Sequence, residues 1–220
     1  MPMARPKIVK ETKREPEERE PPARSVIRPH EWLSDDSMRL YEEVFDSRAP
    51  FPLYLTDSAE AKIRMHALKE APRRLEVLGF LLGEVSTWEG AMYATCRDVG
   101  TTKLHSSSSK VRFSPDAFPS LFLQLDDSGF DYILVGWYHS HPGHTCFLSR
   151  TDLDTQRSMF DQAYHTALVI DPVNEDVKAF RLVGGKSDYE EVPFALYPPA
   201  RATSGKARSR RLRVKPVIRV

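Results

Sequence analysis

Three regimes of apolar and polar residues follow one another along the chain. Over "KIVKETKREPEEREPPARSVIRP" charges alternate with prolines and apolar periodicity is almost absent. Ordering such a segment costs entropy that burial cannot offset, which predicts a disordered charged arm over residues 1–30. In "SMRLYEEVFDS" the apolar residues Met38, Leu40, Tyr41, Val44 and Phe45 recur near helical spacing, predicting a short docking helix within residues 31–50. From residue 51 the pattern becomes that of a core domain, read as residues 51–190. The strand "FPLYLTD" leads into the helix "SAEAKIRMHALKEAP", which Pro72 ends.

The segments "RLEVLGFLLGEV", "AMYATCRDV", "KVRF", "YILVGWYHSH", "HTALVIDP" and "VKAFRLV" are short, β-branched or aromatic, and bounded by turn residues. They predict strands. Two more helices are signalled: "SPDAFPSLFLQLDD", with Ser114 as N-cap and Pro115 at its first position, and "SRTDLDTQRSMFDQA". Strands that do not alternate strictly with helices predict an α+β domain, a sheet packed by helices. Between the strands near Val99 and Val111 the small or polar run "GTTKLHSSSSK" is read either as a surface loop or as a substrate-binding loop.

Composition narrows the picture. The net charge of +1 conceals a basic tail, residues 191–220, whose last twenty residues hold eight Lys or Arg and no acid. Two cysteines, Cys96 and Cys146, fit a reducing compartment and offer neither a disulfide framework nor a Cys-rich zinc cage. The charged, Pro-rich start and the want of a long apolar run argue against a leader or membrane span, so a cytoplasmic protein is expected. One asparagine and three glutamines beside 29% charged residues is a composition reported for proteins of hot environments.

Candidate chemistry gathers in "GWYHSHPGHTCFLSRTD", Gly136 to Asp152. His139 and His141 stand two apart at a strand end, so both imidazoles leave the same face. Asp152, in the first turn of the next helix, is placed to return to that end. Each feature has an ordinary reading too. An HxH pair decorates many strand ends, and Ser149-x-x-Asp152 is a capping-box variant. Capping and ligation are compatible, and the coincidence of all four residues in one strand-loop-helix unit favours a metal. Two imidazoles, one carboxylate and an open position is the arrangement of a catalytic zinc.

The stretch "HSHPGHTCFLSRTD" matches HxHPx(6)SxxD and so resembles the signature of the JAMM (MPN+) metalloproteases, through His139, His141, Pro142, Ser149 and Asp152. Upstream "EVLGFLLG" aligns Glu76, Gly79, Leu81 and Gly83 with that family's E-x-x-G-x-L-x-G, and "VGWYHSHPG", "DLDTQ", "ALVIDP" and "AFRL" resemble its proteasome-lid and signalosome branch, an archaeal member being expected. The resemblance covers roughly residues 53–183. It implies the MPN fold, a mixed sheet packed by helices with cytidine-deaminase-like architecture, and one Zn2+ per chain on His139, His141 and Asp152. Glu76 is implied as general base and acid, and Ser149 as donor to the developing oxyanion.

The implied activity is that of a deubiquitinase, an isopeptidase that removes ubiquitin or a ubiquitin-like protein from its conjugates, with a proteasome or unfoldase and an MPN–MPN dimer as further partners. Phe147, where the eukaryotic lid enzymes have tryptophan, keeps an aromatic wall without an indole N–H. The pattern assigns no ligand to His144, which is read as a loop residue facing substrate; Ser106, Ser107 and Ser108 belong to the loop implied to capture an extended tail. Cys146 is read as a packing residue. Two other classes compete: a non-catalytic MPN scaffold, against which the intact motif argues, and a nucleic-acid-associated protein using the basic tail, which lacks an aromatic platform or recognition motif.

Overall fold

A computed structural model describes residues 16–101, 105–107, 110–112 and 132–198. The elements are β1 (Glu17–Glu18), α1 (Asp35–Ser47), β2 (Leu53–Thr56), α2 (Asp57–Glu70), β3 (Leu78–Trp88), β4 (Ala91–Thr101), β5 (His105–Ser107), β6 (Lys110–Arg112), β7 (Ile133–Ser140), α3 (Arg150–Met159), β8 (Thr166–Asp171), β9 (Asp176–Val183), β10 (Asp188–Val192) and β11 (Phe194–Tyr197). The main sheet runs β10-β9-β8-β7-β3-β4-β2-β11. It is mixed: β7–β8, β2–β4 and β2–β11 are parallel, the other neighbours antiparallel.

Period-2 alternation divides the core between two faces. Leu53, Leu55, Leu81, Leu168 and Ile170 face α2, whose Ala59, Ile63 and Ala67 are buried at helical spacing. Leu78, Phe80, Leu82, Ala167 and Val169 face the α3 side with Phe160. Tyr54, Tyr93 and Tyr197 form a third cluster with Tyr41 of α1. No helix among the described residues is long and apolar enough to cross a membrane.

One irregularity positions the site. In the β3–β7 ladder Leu81 pairs with Gly136 but Leu82 pairs with Leu134, so Val135 is the extra residue of a bulge. The bulge turns Val135 toward the α2 face while Trp137 joins the α3 side. Only glycine fits the kink, because a Cβ on Gly136 would lie 2.0 Å from the Thr166 carbonyl oxygen.

Three expectations need correction. Residues 16–30 are not a free arm. β1 pairs with β3 at Ser86 and Thr87, beyond the end of β7, and Arg28 bridges Leu196 of β11. The Arg24 guanidinium lies over Phe45 and Phe51 and donates to the Val44 and Ala49 carbonyls, while His30 meets Glu60 of α2 in a buried contact of 3.1 Å. The segment has no periodicity because it forms no layer of its own; it is held by contacts to a sheet that already exists. Secondly, the domain does not stop at residue 190. That boundary falls inside β10, and β11 follows Pro193 to pair with β2. Proline is tolerated there because it precedes the strand. Thirdly, the stretch 100–110 is not wholly loop. β4 runs to Thr101, and Ser106 and Ser107 lie in β5, which pairs with β6. Ser108 and the helix expected from Ser114 lie outside the described residues.

Candidate metal centre

β7 delivers His139 as its penultimate residue and His141 immediately after its end; α3 delivers Asp152 in its first turn. Their Nε2 and Oδ2 atoms form a nearly equilateral triangle. His139 Nε2 to His141 Nε2 is 3.1 Å, and the two lie 3.5 and 3.6 Å from Asp152 Oδ2. Tetrahedral ligation at about 2.05 Å requires ligand atoms about 3.3 Å apart, which these distances bracket. No other group of three or more His, Cys, Asp or Glu among the described residues converges this way.

Each donor is held by its surroundings. Ser149 caps α3: its Oγ accepts the Asp152 N–H at 3.3 Å, and its own N–H donates to Asp152 Oδ2 at 2.8 Å. The capping box therefore aims the oxygen that faces the imidazoles. His141 Nδ1 lies 3.2 Å from the Thr145 carbonyl, which can only accept, so the proton sits on Nδ1 and the Nε2 lone pair faces the site. The His139 ring stacks on Trp137, centroids 4.5 Å apart. Trp137 Nε1 in turn donates to Gln156 Oε1 at 2.5 Å, and the Gln156 amide donates to the Phe160 and His165 carbonyls.

Electrostatics suits a cation. Burial pushes His139 down, toward the neutral ligand form, against the pull of Asp152 and Glu76. Burial also disfavours His141 protonation, but Asp152, Glu76 and the Thr145 carbonyl outweigh it and raise its pKa. Burial would raise the Asp152 carboxyl, yet both imidazoles and Ser149 hold it well below the carboxylate range. A bound dication would take the place of the proton these groups compete for.

Glu76 stands two residues before β3, half-buried, and its charge acts on both imidazoles. Its place is fixed through Ser140, the fully buried residue between the histidines. Val77 N–H donates to Ser140 Oγ and Ser140 N–H to the Val77 carbonyl, both at 2.9 Å, while Leu78 registers with His139. Phe147 lies at the rim, 41% exposed, its ring 4.8 Å from that of His141. His144 is exposed and stands outside the converging trio. Cys146 is buried, its thiol pushed up by desolvation and donating to the Val169 carbonyl, a packing role.

Sequence reasoning gave no role to Ser140, Gln156 or Asp171. For Asp171 a signal existed: "DPVN" is an Asx-turn sequence. The fully buried carboxylate accepts the N–H groups of Gly143, Thr145, Val173 and Asn174. Burial opposes its ionisation, but these donors lower its pKa. A depressed carboxyl contributes stability that is complete above the unfolded value, about 3.9, and disappears as pH falls through the folded one. Asp171→Asn should thus cost about 3 kcal/mol near pH 7. Urea unfolding of both proteins should find that gap shrinking below pH 4, and a gap independent of pH would contradict the assignment.

A three-donor cluster on a strand-loop-helix unit of a mixed sheet defines the class: an α+β domain carrying a group of side chains that could hold a metal ion. Residues 54–164 match the family model described as JAB1/Mov34/MPN/PAD-1 ubiquitin protease, and the chain belongs to that family. It has the MPN fold. The Saccharomyces cerevisiae protein named ubiquitin carboxyl-terminal hydrolase RPN11 is 32% identical over 139 residues, 60% of this chain and 44% of that one. COP9 signalosome complex subunit 5 of Yarrowia lipolytica is 28% identical over 187 residues, 82% of this chain and 46% of the relative. The chain thus spans less than half the length of these relatives. The solution structure of a Desulfitobacterium hafniense protein superposes with a TM-score of 0.50 at 21% identity, covering 67% of this chain and 94% of that one, a likeness of fold.

Proposed function

We propose that the chain is a zinc-dependent isopeptidase that releases ubiquitin or a ubiquitin-like modifier from conjugated lysines. The observation that carries this reading is the convergence of His139, His141 and Asp152 at tetrahedral spacing, with the charge of Glu76 acting on both imidazoles. A relative named as a ubiquitin carboxyl-terminal hydrolase supports the substrate class.

Zinc, when bound, supplies the Lewis acid that polarises the scissile carbonyl and makes water acidic near pH 7. The chain's own residues do the rest. Glu76 takes a proton from the attacking water on its carboxylate and passes it to the departing lysine amine. Ser149, whose Oγ accepts the Asp152 N–H, keeps its hydroxyl proton to donate to the oxyanion, a contribution of about 10²-fold or more in kcat. Phe147 walls the approach, and the β5–β6 pair offers a strand edge to an extended tail. We also assign the protein to the cytoplasm, with a proteasome or unfoldase and a second MPN domain as partners.

The full chain, supplied with zinc, should cleave a ubiquitin-like protein joined through its C-terminus to a lysine side chain, and a zinc chelator should stop it. Failure to cleave any such conjugate with the zinc site filled would favour a non-catalytic scaffold.

A further inference from the structure

We propose that Asp171 is a positioning residue for His141, acting through the backbone of Thr145; the inference rests on the metal-centre reading above. Thr145 presents its carbonyl to His141 Nδ1 at 3.2 Å, the contact that puts the proton on Nδ1 and leaves Nε2 as the donor atom. It does so at φ 64°, in the left-handed region. That region is unfavourable for a β-branched residue and persists only when the surroundings impose it. Thr145 is exposed, so side-chain burial does not hold it there. Its N–H is held, at 2.8 Å, by Asp171 Oδ2.

The two carboxylate oxygens divide their work. Oδ1 accepts from the N–H groups of Gly143, Val173 and Asn174 at 2.8, 3.0 and 3.2 Å. Oδ2 accepts from Thr145 N–H at 2.8 Å and Asn174 Nδ2 at 2.7 Å. Every one of these partners donates, so only a carboxylate, with two acceptor oxygens, satisfies them. In Asp171→Asn the amide NH2 must face one side or the other. The Oδ1 side holds three donors and the Oδ2 side two, so the NH2 turns toward Thr145 and opposes its N–H. The peptide that fixes the His141 tautomer then loses its anchor, while the turn at Val173 and Asn174 keeps its own. Asn174→Ala is the matching control: it removes a bond to the same oxygen and leaves Thr145 anchored.

Two measurements on the full chain test this. Zinc affinity, read by competition with a chelator, should fall about tenfold in Asp171→Asn, the low end for partners that orient a ligand from behind. In Asn174→Ala it should stay within about twofold. The histidine tautomer, read by nitrogen NMR on metal-free protein at pH 9, should be Nδ1–H at His141 in the parent and in Asn174→Ala, and mixed in Asp171→Asn. Unchanged affinity and tautomer in Asp171→Asn would overturn the proposal, as would equal losses in both variants, which mean general loosening of the turn. If Asp171→Asn does not fold, an Nε2–H tautomer in the parent overturns it and Nδ1–H with Asn174→Ala unchanged supports it. A parent that binds no zinc defeats the reading of the metal centre; the tautomer spectra still test the positioning.

Discussion

Purified protein should carry about one zinc per chain, and His139→Ala or Asp152→Ala should remove both the metal and the hydrolytic activity. The triangle of donor atoms explains the size of the loss. With edges of 3.1, 3.5 and 3.6 Å the trio has the spacing of one face of a tetrahedron, and two ligands without the third would leave a site too weak to hold zinc through dialysis. The variants should differ in stability. Asp152→Ala also breaks the capping box of α3, costing about 1 kcal/mol, whereas His139→Ala leaves that helix start intact. Asp152→Asn retains an oxygen for the Ser149 N–H and should recover much of the stability but little of the metal. In the parent, zinc affinity should weaken as pH falls through the raised His141 value, because metal and proton compete for Nε2. Metal analysis beside urea unfolding decides the matter; full zinc in both alanine variants would refute the ligand assignment.

What could be read from the sequence was local. A two-residue spacing puts His139 and His141 on one side of a strand whatever the rest of the fold, and Ser149 and Asp152 read as a capping box because the pairing spans a single turn. Glu76 was legible only by resemblance, since its nearness to the histidines depends on the Leu78–His139 pairing of β3 with β7 and the Val77–Ser140 bonds, contacts between residues more than sixty positions apart. The bulge at Val135 was hidden for a similar reason: whether Gly136 marks a kink depends on the approach of Thr166 from β8. The packing of residues 16–30 was misread because composition measures what a segment can bury by itself. Ile27, buried among Tyr41, Phe51 and Tyr54, uses a surface that others supply.

Glu76→Gln should fold, bind zinc at the parent's affinity and turn over substrate at least about 10³-fold more slowly, at the upper range for loss of a general acid–base group. The substitution keeps the length, shape and hydrogen-bonding oxygen of the side chain. It removes only the capacity to accept a proton. Glu76 is absent from the converging trio and reaches both imidazoles electrostatically, so losing its charge leaves the three donors in place. The backbone that carries it should not move, because the Val77–Ser140 pair and the Leu78–His139 register fix it independently of the carboxylate. Substrate should therefore still bind, and the variant should trap uncleaved conjugate in a pull-down where His139→Ala shows no zinc. A second signature follows from Ser140. Ser140→Ala removes the acceptor of the Val77 N–H and lets Glu76 drift without touching a donor atom, so it should lower kcat, by less than Glu76→Gln, at unchanged zinc content. Near-parental turnover by Glu76→Gln would assign the proton transfer to another group; lost zinc in that variant would instead make Glu76 part of the metal site.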